Sequence, residues 1–292
     1  MPLWHAFIFF CSILVASCAI YAQVPDAYSY NSIAAFANWL VEQKEYYRAY
    51  QEYKRLHAYY ADRYAYDNFV VASLYCRYEG KQYNEILTSA NFNTITPPWM
   101  WIYIFDSAFK RNDSSVDRVI AAAPSYEYSS DINEIIFKRK LAYCFYAGHD
   151  YRKLSPTQSF VDSYDVENLY AYSRFKRSQL KNPYAALAWG MVPGGGYVYS
   201  DNTENGIVAA IVIGICSVIT YFAIDTNNTG IAVFTGSIGV FFYGGSIAGG
   251  YLASIKTNKA IMSELQAYLE DGLKFQDDRA MMFERYGKPK TQ

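Results

Sequence analysis

The 292 residues carry a formal net charge of −1, and 52% of them are hydrophobic, with 31 Tyr and 18 Phe. That length accommodates two domains. The near-neutral charge provides no basic field to attract nucleic acid and argues against a nucleic-acid partner.

Residues 1–22 (MPLWHAFIFFCSILVASCAIYA) read as a secretory signal peptide, an apolar run from Ala6 to Ala16 followed by small residues. Two processing readings compete. Ile20-Tyr21-Ala22 before Gln23 suits ordinary signal peptidase and is preferred. Val15-Ala16-Ser17-Cys18 instead resembles a lipobox, which would make Cys18 a lipidated first residue. The n-region has no Lys or Arg, only His5, so an uncleaved anchor helix stands as a third reading. Of the five cysteines, Cys11 and Cys18 leave with the signal and Cys216 falls in an apolar run. Cys76 and Cys144 remain, with no metal-ligand spacing, and are expected to pack as small hydrophobes.

Residues 23–181 read as an all-helical domain, because no stretch in 30–180 alternates with period two. Residues 75–83 (YCRYEGKQY) and 143–151 (YCFYAGHDY) share Tyr, Cys, Tyr, Gly and a final Tyr at an offset of 68, twice 34. The unit between them, 109–117 (FKRNDSSVD), keeps Phe109 and loses the Gly. Upstream, 38–53 (NWLVEQKEYYRAYQEY) has the same form. Phe36, Leu40, Tyr47, Tyr50 and Tyr53 recur at helical spacing. Gly80 and Gly148 are expected at the turn after the first helix of a unit, and Pro97-Pro98 and Pro124 at unit boundaries. Over roughly residues 30–160 the chain resembles the tetratricopeptide repeat family. That resemblance implies antiparallel helix pairs forming a scaffold whose concave face holds a protein partner.

Residues 182–255 form the membrane module. A bilayer core of about 30 Å needs about 20 apolar residues per helix. The runs 206–224 and 229–255 satisfy this, with only Asp225 charged from 206 to 255. Ahead of them, 183–199 is apolar but broken at Pro193 and Gly194–Gly196, which makes it a re-entrant or short interfacial helix, or a broken third span. Pro193-Gly194-x-Gly196-x-x-Tyr199, with Pro183 and Ala186 before it and a Gly206-led span after it, resembles a small bacterial membrane module found at the carboxyl end of envelope proteins with helical repeats. Ser200 and Asp201 stand where that module usually has a glycine. The glycines are not a phosphate loop, since no Lys-Ser/Thr follows and no strand precedes. Gly245-xxx-Gly249 places small residues on one helix face, suited to packing against 206–224 or to homo-oligomerisation.

Residues 256–292 read as an amphipathic tail helix through Ile261, Leu265, Leu269, Leu273 and Phe275. His57 and His149 read as exposed repeat positions, and Asp131 as an N-cap. No HExxH or GxSxG occurs, and no cofactor, metal or catalytic residue is assigned. The expected architecture is therefore all-α: tetratricopeptide-like repeats, a transmembrane helical hairpin and a tail helix. The expected role is a non-catalytic envelope adaptor of the bacterial inner membrane, its repeats periplasmic and bound to a protein partner, or a lipoprotein through Cys18. The alternative is a subunit of a channel, transporter or insertion machinery.

Overall fold

The computed structural model describes residues 27–89, 98–111, 130–154 and 158–290. The signal segment with Cys18, Pro97, Pro124 and the degenerate repeat beyond Arg111 lie outside them. Every element among the described residues is helical. The chain divides into two compact units, Met1–Arg139 with Phe275–Gln292, and Lys140–Lys274.

The first unit begins with α1 (Tyr30–Glu42), α2 (Tyr46–Tyr59) and α3 (Tyr66–Glu79), packed in succession. The Ser29 hydroxyl caps α1 by accepting the Ser32 N–H. Ala34, Ala37 and Ala49 are fully buried and let the helices approach, while Leu40, Tyr53 and Leu56 fill the layer between them. The aromatic positions thus build the core, as Tyr53 stacking on Tyr64 at 6.2 Å shows. α4 (Tyr83–Ser89), α5 (Pro98–Arg111) and the first part of α6 (Ser130–Ala147) follow. Pro98 opens α5, where the missing N–H costs nothing.

One turn recurs after α1, α3 and α6. An N–H reaches back five residues in each: Glu45 to Leu40, Gln82 to Arg77, His149 to Cys144. The left-handed residue that allows this is Lys44 (φ 61°), Lys81 (φ 61°) and Gly148 (φ 80°). Gly148 holds the turn as expected, whereas Gly80 has φ −75° and its neighbour Lys81 takes the strained position. Aligning letters pairs Gly80 with Gly148; the backbone pairs Lys81 with Gly148, one residue away. Asp131 is likewise no cap: it lies in the first turn of α6 and pairs with Arg285 at 2.9 Å.

The second unit contains the end of α6, a 3₁₀ turn (Tyr151–Leu154), α7 (Gln158–Ser163), α8 (Val166–Ser178), α9 (Pro183–Trp189), α10 (Gly195–Tyr199), α11 (Thr203–Asp225) and α12 (Thr229–Gly272). The 44 residues of α12 extend about 66 Å and form the spine. α11 runs antiparallel along its first half, where the Thr220 and Thr235 hydroxyls meet at 2.8 Å and Gly239 faces Cys216. α8 runs antiparallel along its far half. There the Tyr172 and Tyr268 rings meet at a tilt, 3.9 Å between centroids, Lys176 pairs with Glu264 at 2.7 Å and Leu169 lies against Gly272.

α11 and α12 are each long and apolar enough to cross a membrane, yet only 11% and 6% of their most apolar stretches are buried. Ile211, Ile215, Phe222, Phe234 and Phe241 point outward. A core helix of a soluble protein hides such residues. The helix expected to end at Ile255 continues unbroken to Gly272, because no Gly or Pro interrupts 251–271. The expected tail helix is thereby divided: Leu265, Leu269 and Leu273 belong to the spine or its end, and Phe275 opens α13 (Phe275–Met282).

Candidate functional site

Two places bring chain-distant residues together. The first is a seam between residues 182–202 and α12. Asn182 caps α9 by accepting the Tyr184 N–H, with Pro183 at the first helical position. The Asn258 side chain takes the Lys181 N–H at 2.8 Å and donates to the Lys181 carbonyl at 2.7 Å. The Tyr199 hydroxyl accepts the Asn182 N–H at 3.2 Å. Both ends of the segment therefore sit at one level of α12. Its middle reaches Tyr243, whose hydroxyl donates to the Met191 carbonyl at 2.9 Å. From Asn258 to Tyr243 is about 22 Å along the helix. The segment enters and leaves on the same side, having turned back near the middle of the apolar stretch.

Five N–H groups of the turn have partners. The N–H groups of Gly190, Met191 and Val192 donate to Ala186, Ala188 and Trp189, Gly194 donates to the Ser246 hydroxyl at 3.1 Å, and Gly195 donates to Val192. Pro193 has no N–H to satisfy. Such partners are what non-helical backbone would need at membrane depth.

The glycines act through close approach. Gly194 is left-handed (φ 80°), and a Cβ there would collide with the Gly206 carbonyl. Gly196 lies against the Gly250 Cα, and the Ser200 hydroxyl, donating to the Gly196 or Gly250 carbonyl, closes the joint. The structure thus brings Pro193, Gly194, Gly196 and Tyr199 of the sequence motif together. It divides the expected Gly245 and Gly249 pair: a Cβ at Gly249 would collide with the Tyr197 side chain, while one at Gly245 would meet open space. The glycines of α12 facing α11 are Gly236 and Gly239. Gly249 meets Tyr197 instead of α11, because Tyr197, an unspecified position inside the motif, fills the groove that Gly249 opens.

The second place is a clasp in the first unit. Arg139 grips Asp106 with two bonds of 3.0 Å and reaches Asp278 with a third. Lys138 meets Asp278 at 2.6 Å, and Arg279 meets Asp106 at 2.8 Å and Glu79 at 3.4 Å. Arg139 lies 4.1 Å over the Phe275 ring and Arg279 lies 4.2 Å over Tyr78. Burial pulls both guanidinium groups down, but Asp106 above all outweighs it and holds each above the ordinary arginine value. Three cations thus face three carboxylates.

Beyond α13, a π turn (Phe283–Gly287) continues the returning segment. Phe283 stacks on Tyr75 at 4.4 Å and edges Tyr53. The Tyr64 hydroxyl donates to the Gly287 carbonyl at 2.7 Å, and Asn68 donates to that of Tyr286. The carboxyl-terminal segment is part of the core of the first unit. Burial pushes the neighbouring Cys76 thiol well above its usual range, which leaves it inert at neutral pH.

Asp106, Arg139 and Asp278 went unassigned in the sequence. For Asp106 the signal was a lone charge inside an apolar run, WIYIFDSAF; Arg139 lies in the cationic triplet of IIFKRKLAY and Asp278 in QDDR, where charge is unremarkable. The turn of the seam, residues 190–195, carries no charged side chain, and the charges of the clasp are paired with one another. Comparison with family models, curated proteins and solved structures returned no match.

Proposed function

We propose that this chain is a non-catalytic membrane-anchored adaptor. α11 and α12 form a transmembrane hairpin, and the tetratricopeptide-like helices carry a protein partner. The observation that supports this most is the outward-facing apolar surface of both long helices, joined to a segment that turns back along α12 with five N–H groups of its turn hydrogen-bonded. The carboxyl-terminal segment already fills the face formed by Tyr53, Tyr64 and Tyr75. Partner contact is therefore assigned to aromatics outside that face, such as Phe36 and Trp39, stacked at 5.9 Å and solvent-exposed. The apolar run in 1–22 supports a periplasmic position for the helices at a bacterial inner membrane, with lipidation at Cys18 as the other route to the envelope.

The second reading, a channel, transporter or insertion subunit, draws on the re-entrant turn. It is the weaker one, because five N–H groups of that turn are engaged and no Lys, Arg, Asp or Glu lies between 206 and 224 or between 229 and 255.

A photo-crosslinking residue at Trp39 of the full-length chain tests the adaptor in intact cells. A discrete protein adduct from Trp39, absent when the probe sits at outward-facing Val233, is expected. Adducts from neither position, with function lost only when the hairpin is exchanged for an unrelated anchor, would transfer the case to the second reading.

A further inference from the structure

Above the apolar part of α12 the exposed face changes character within one turn. Leu252 and Ile255 are exposed, and Lys256 and Lys259 follow them at i+4 on the same face, also exposed. Asn258, between the two lysines in sequence, is the residue that binds both backbone groups of Lys181. All three lysines therefore lie at the level where the re-entrant segment enters. Lys181 is neutralised by Asp201 at 3.0 Å, whereas Lys256 and Lys259 pair with no carboxylate among the described residues. Tyr184 and Tyr251, 6.1 Å apart, flank this level, as amphipathic rings do at a headgroup layer. The opposite end of the α11–α12 pair is different. It carries Asp225 and no cation, and no Lys or Arg occurs from 182 to 255.

We infer that Lys256 and Lys259 form a binding surface for anionic phospholipid headgroups at the end of the module where the re-entrant segment enters. The inference rests on the membrane reading above. Charge complementarity and continuity with the apolar face select the occupant. The alkyl chains lie along Leu252 and Ile255, and the phosphate meets the ammonium groups one turn further out. The lysines contribute attraction without directional chelation, so the preference is for negative charge rather than for one headgroup. High salt weakens it.

The test uses the full-length chain in nanodiscs of phosphatidylcholine alone or mixed with phosphatidylglycerol, with the thermal midpoint as readout. The expected result is a higher midpoint with phosphatidylglycerol. Most of that rise is lost in Lys256→Gln/Lys259→Gln and kept in Lys256→Arg/Lys259→Arg, and inorganic phosphate does not reproduce it in phosphatidylcholine. Equal midpoints in the two lipids, or a rise untouched by the Gln pair, would overturn the headgroup surface alone. A rise reproduced by inorganic phosphate would also overturn it, in favour of a free-anion site. A chain that enters neither nanodisc would overturn the membrane reading as well.

Discussion

In the clasp, a returning segment is held by charge. In the seam, a returning segment is held by the absence of side chains. Asp106, Lys138, Arg139, Asp278 and Arg279 are all under 10% exposed, and each finds an opposite charge. Around Gly194, Gly196, Gly206 and Gly250 nothing is charged, and backbone touches backbone. On the membrane reading proposed above, the difference follows the reference solvent. A chain that folds from water gains by hiding the apolar Phe275, Met282 and Phe283, and it can hold buried charges only as matched groups. A segment surrounded by hydrocarbon gains nothing from hiding apolar surface, so it relies on close van der Waals contact and on saturating every polar backbone atom. Both devices tie together residues far apart in sequence, Asp106 to Arg279 and Gly196 to Gly250.

The comparison breaks first at Asp106. Asp106→Asn leaves two buried guanidinium groups short of a counter-charge and is expected to cost about 3–5 kcal/mol. The control is Asp131→Asn, which removes an exposed pair with Arg285 and costs under about 1 kcal/mol. Thermal unfolding of the full-length chain in detergent, followed by protease resistance, measures both. Similar midpoints for the two variants would mean that the buried charges are no clasp.

A smaller effect is expected at Gly194. Gly194→Ala forces a non-glycine residue to φ 80°, costing about 1–2 kcal/mol before the collision with Gly206 is counted. The turn opens rather than the whole unit unfolding. Val192, outward-facing at the turn and against lipid on the proposed membrane reading, then becomes reachable from water. The readout is maleimide labelling of Val192→Cys in membranes, scored by the mass of its own peptide. Faster labelling in the Gly194→Ala background sharpens the seam; unchanged labelling removes it.

These two sites were unequally legible. Glycine is visible as a letter, and its pattern with Pro193 and Tyr199 marked the place where a helix breaks. The partner was not visible, because the residue that fills the groove over Gly249 is an ordinary Tyr197 on a different helix. The helical class of the first unit followed from aromatic spacing at Tyr50, Tyr53 and Tyr75. The clasp did not, since Asp106 and Asp278 meet only through three-dimensional folding across more than 170 residues. The turn at Lys81 was missed for a physical reason. A hydrogen bond to Arg77 outweighs the conformational preference of Gly80, so the glycine stands beside the position that would have used it. The continuity of α12 was readable in hindsight of one fact alone, the lack of Gly and Pro from 251 to 271, which charge content had obscured.

The smallest effect concerns an ion pair that belongs to neither device, on the part of α12 that leaves the apolar zone. Glu264 accepts from Lys176, and the Tyr172 hydroxyl donates to it at 3.0 Å. Lys176 first and Tyr172 second hold its carboxyl below the ordinary 4.5. A folded value below the unfolded one means a contribution fully present above 4.5 and lost as pH falls through the lower folded value. Glu264 is solvent-exposed, so the change is confined to the contact between α8 and α12 and does not unfold the unit. Acid titration from pH 6 downward, followed through the paired Tyr172 and Tyr268 rings, is expected to show a transition beginning below 4.5. Glu264→Gln should abolish that transition while leaving the ring contact in place at neutral pH. A transition that persists in the Gln variant would belong to another carboxylate and would detach this contact from the pH response of the spine.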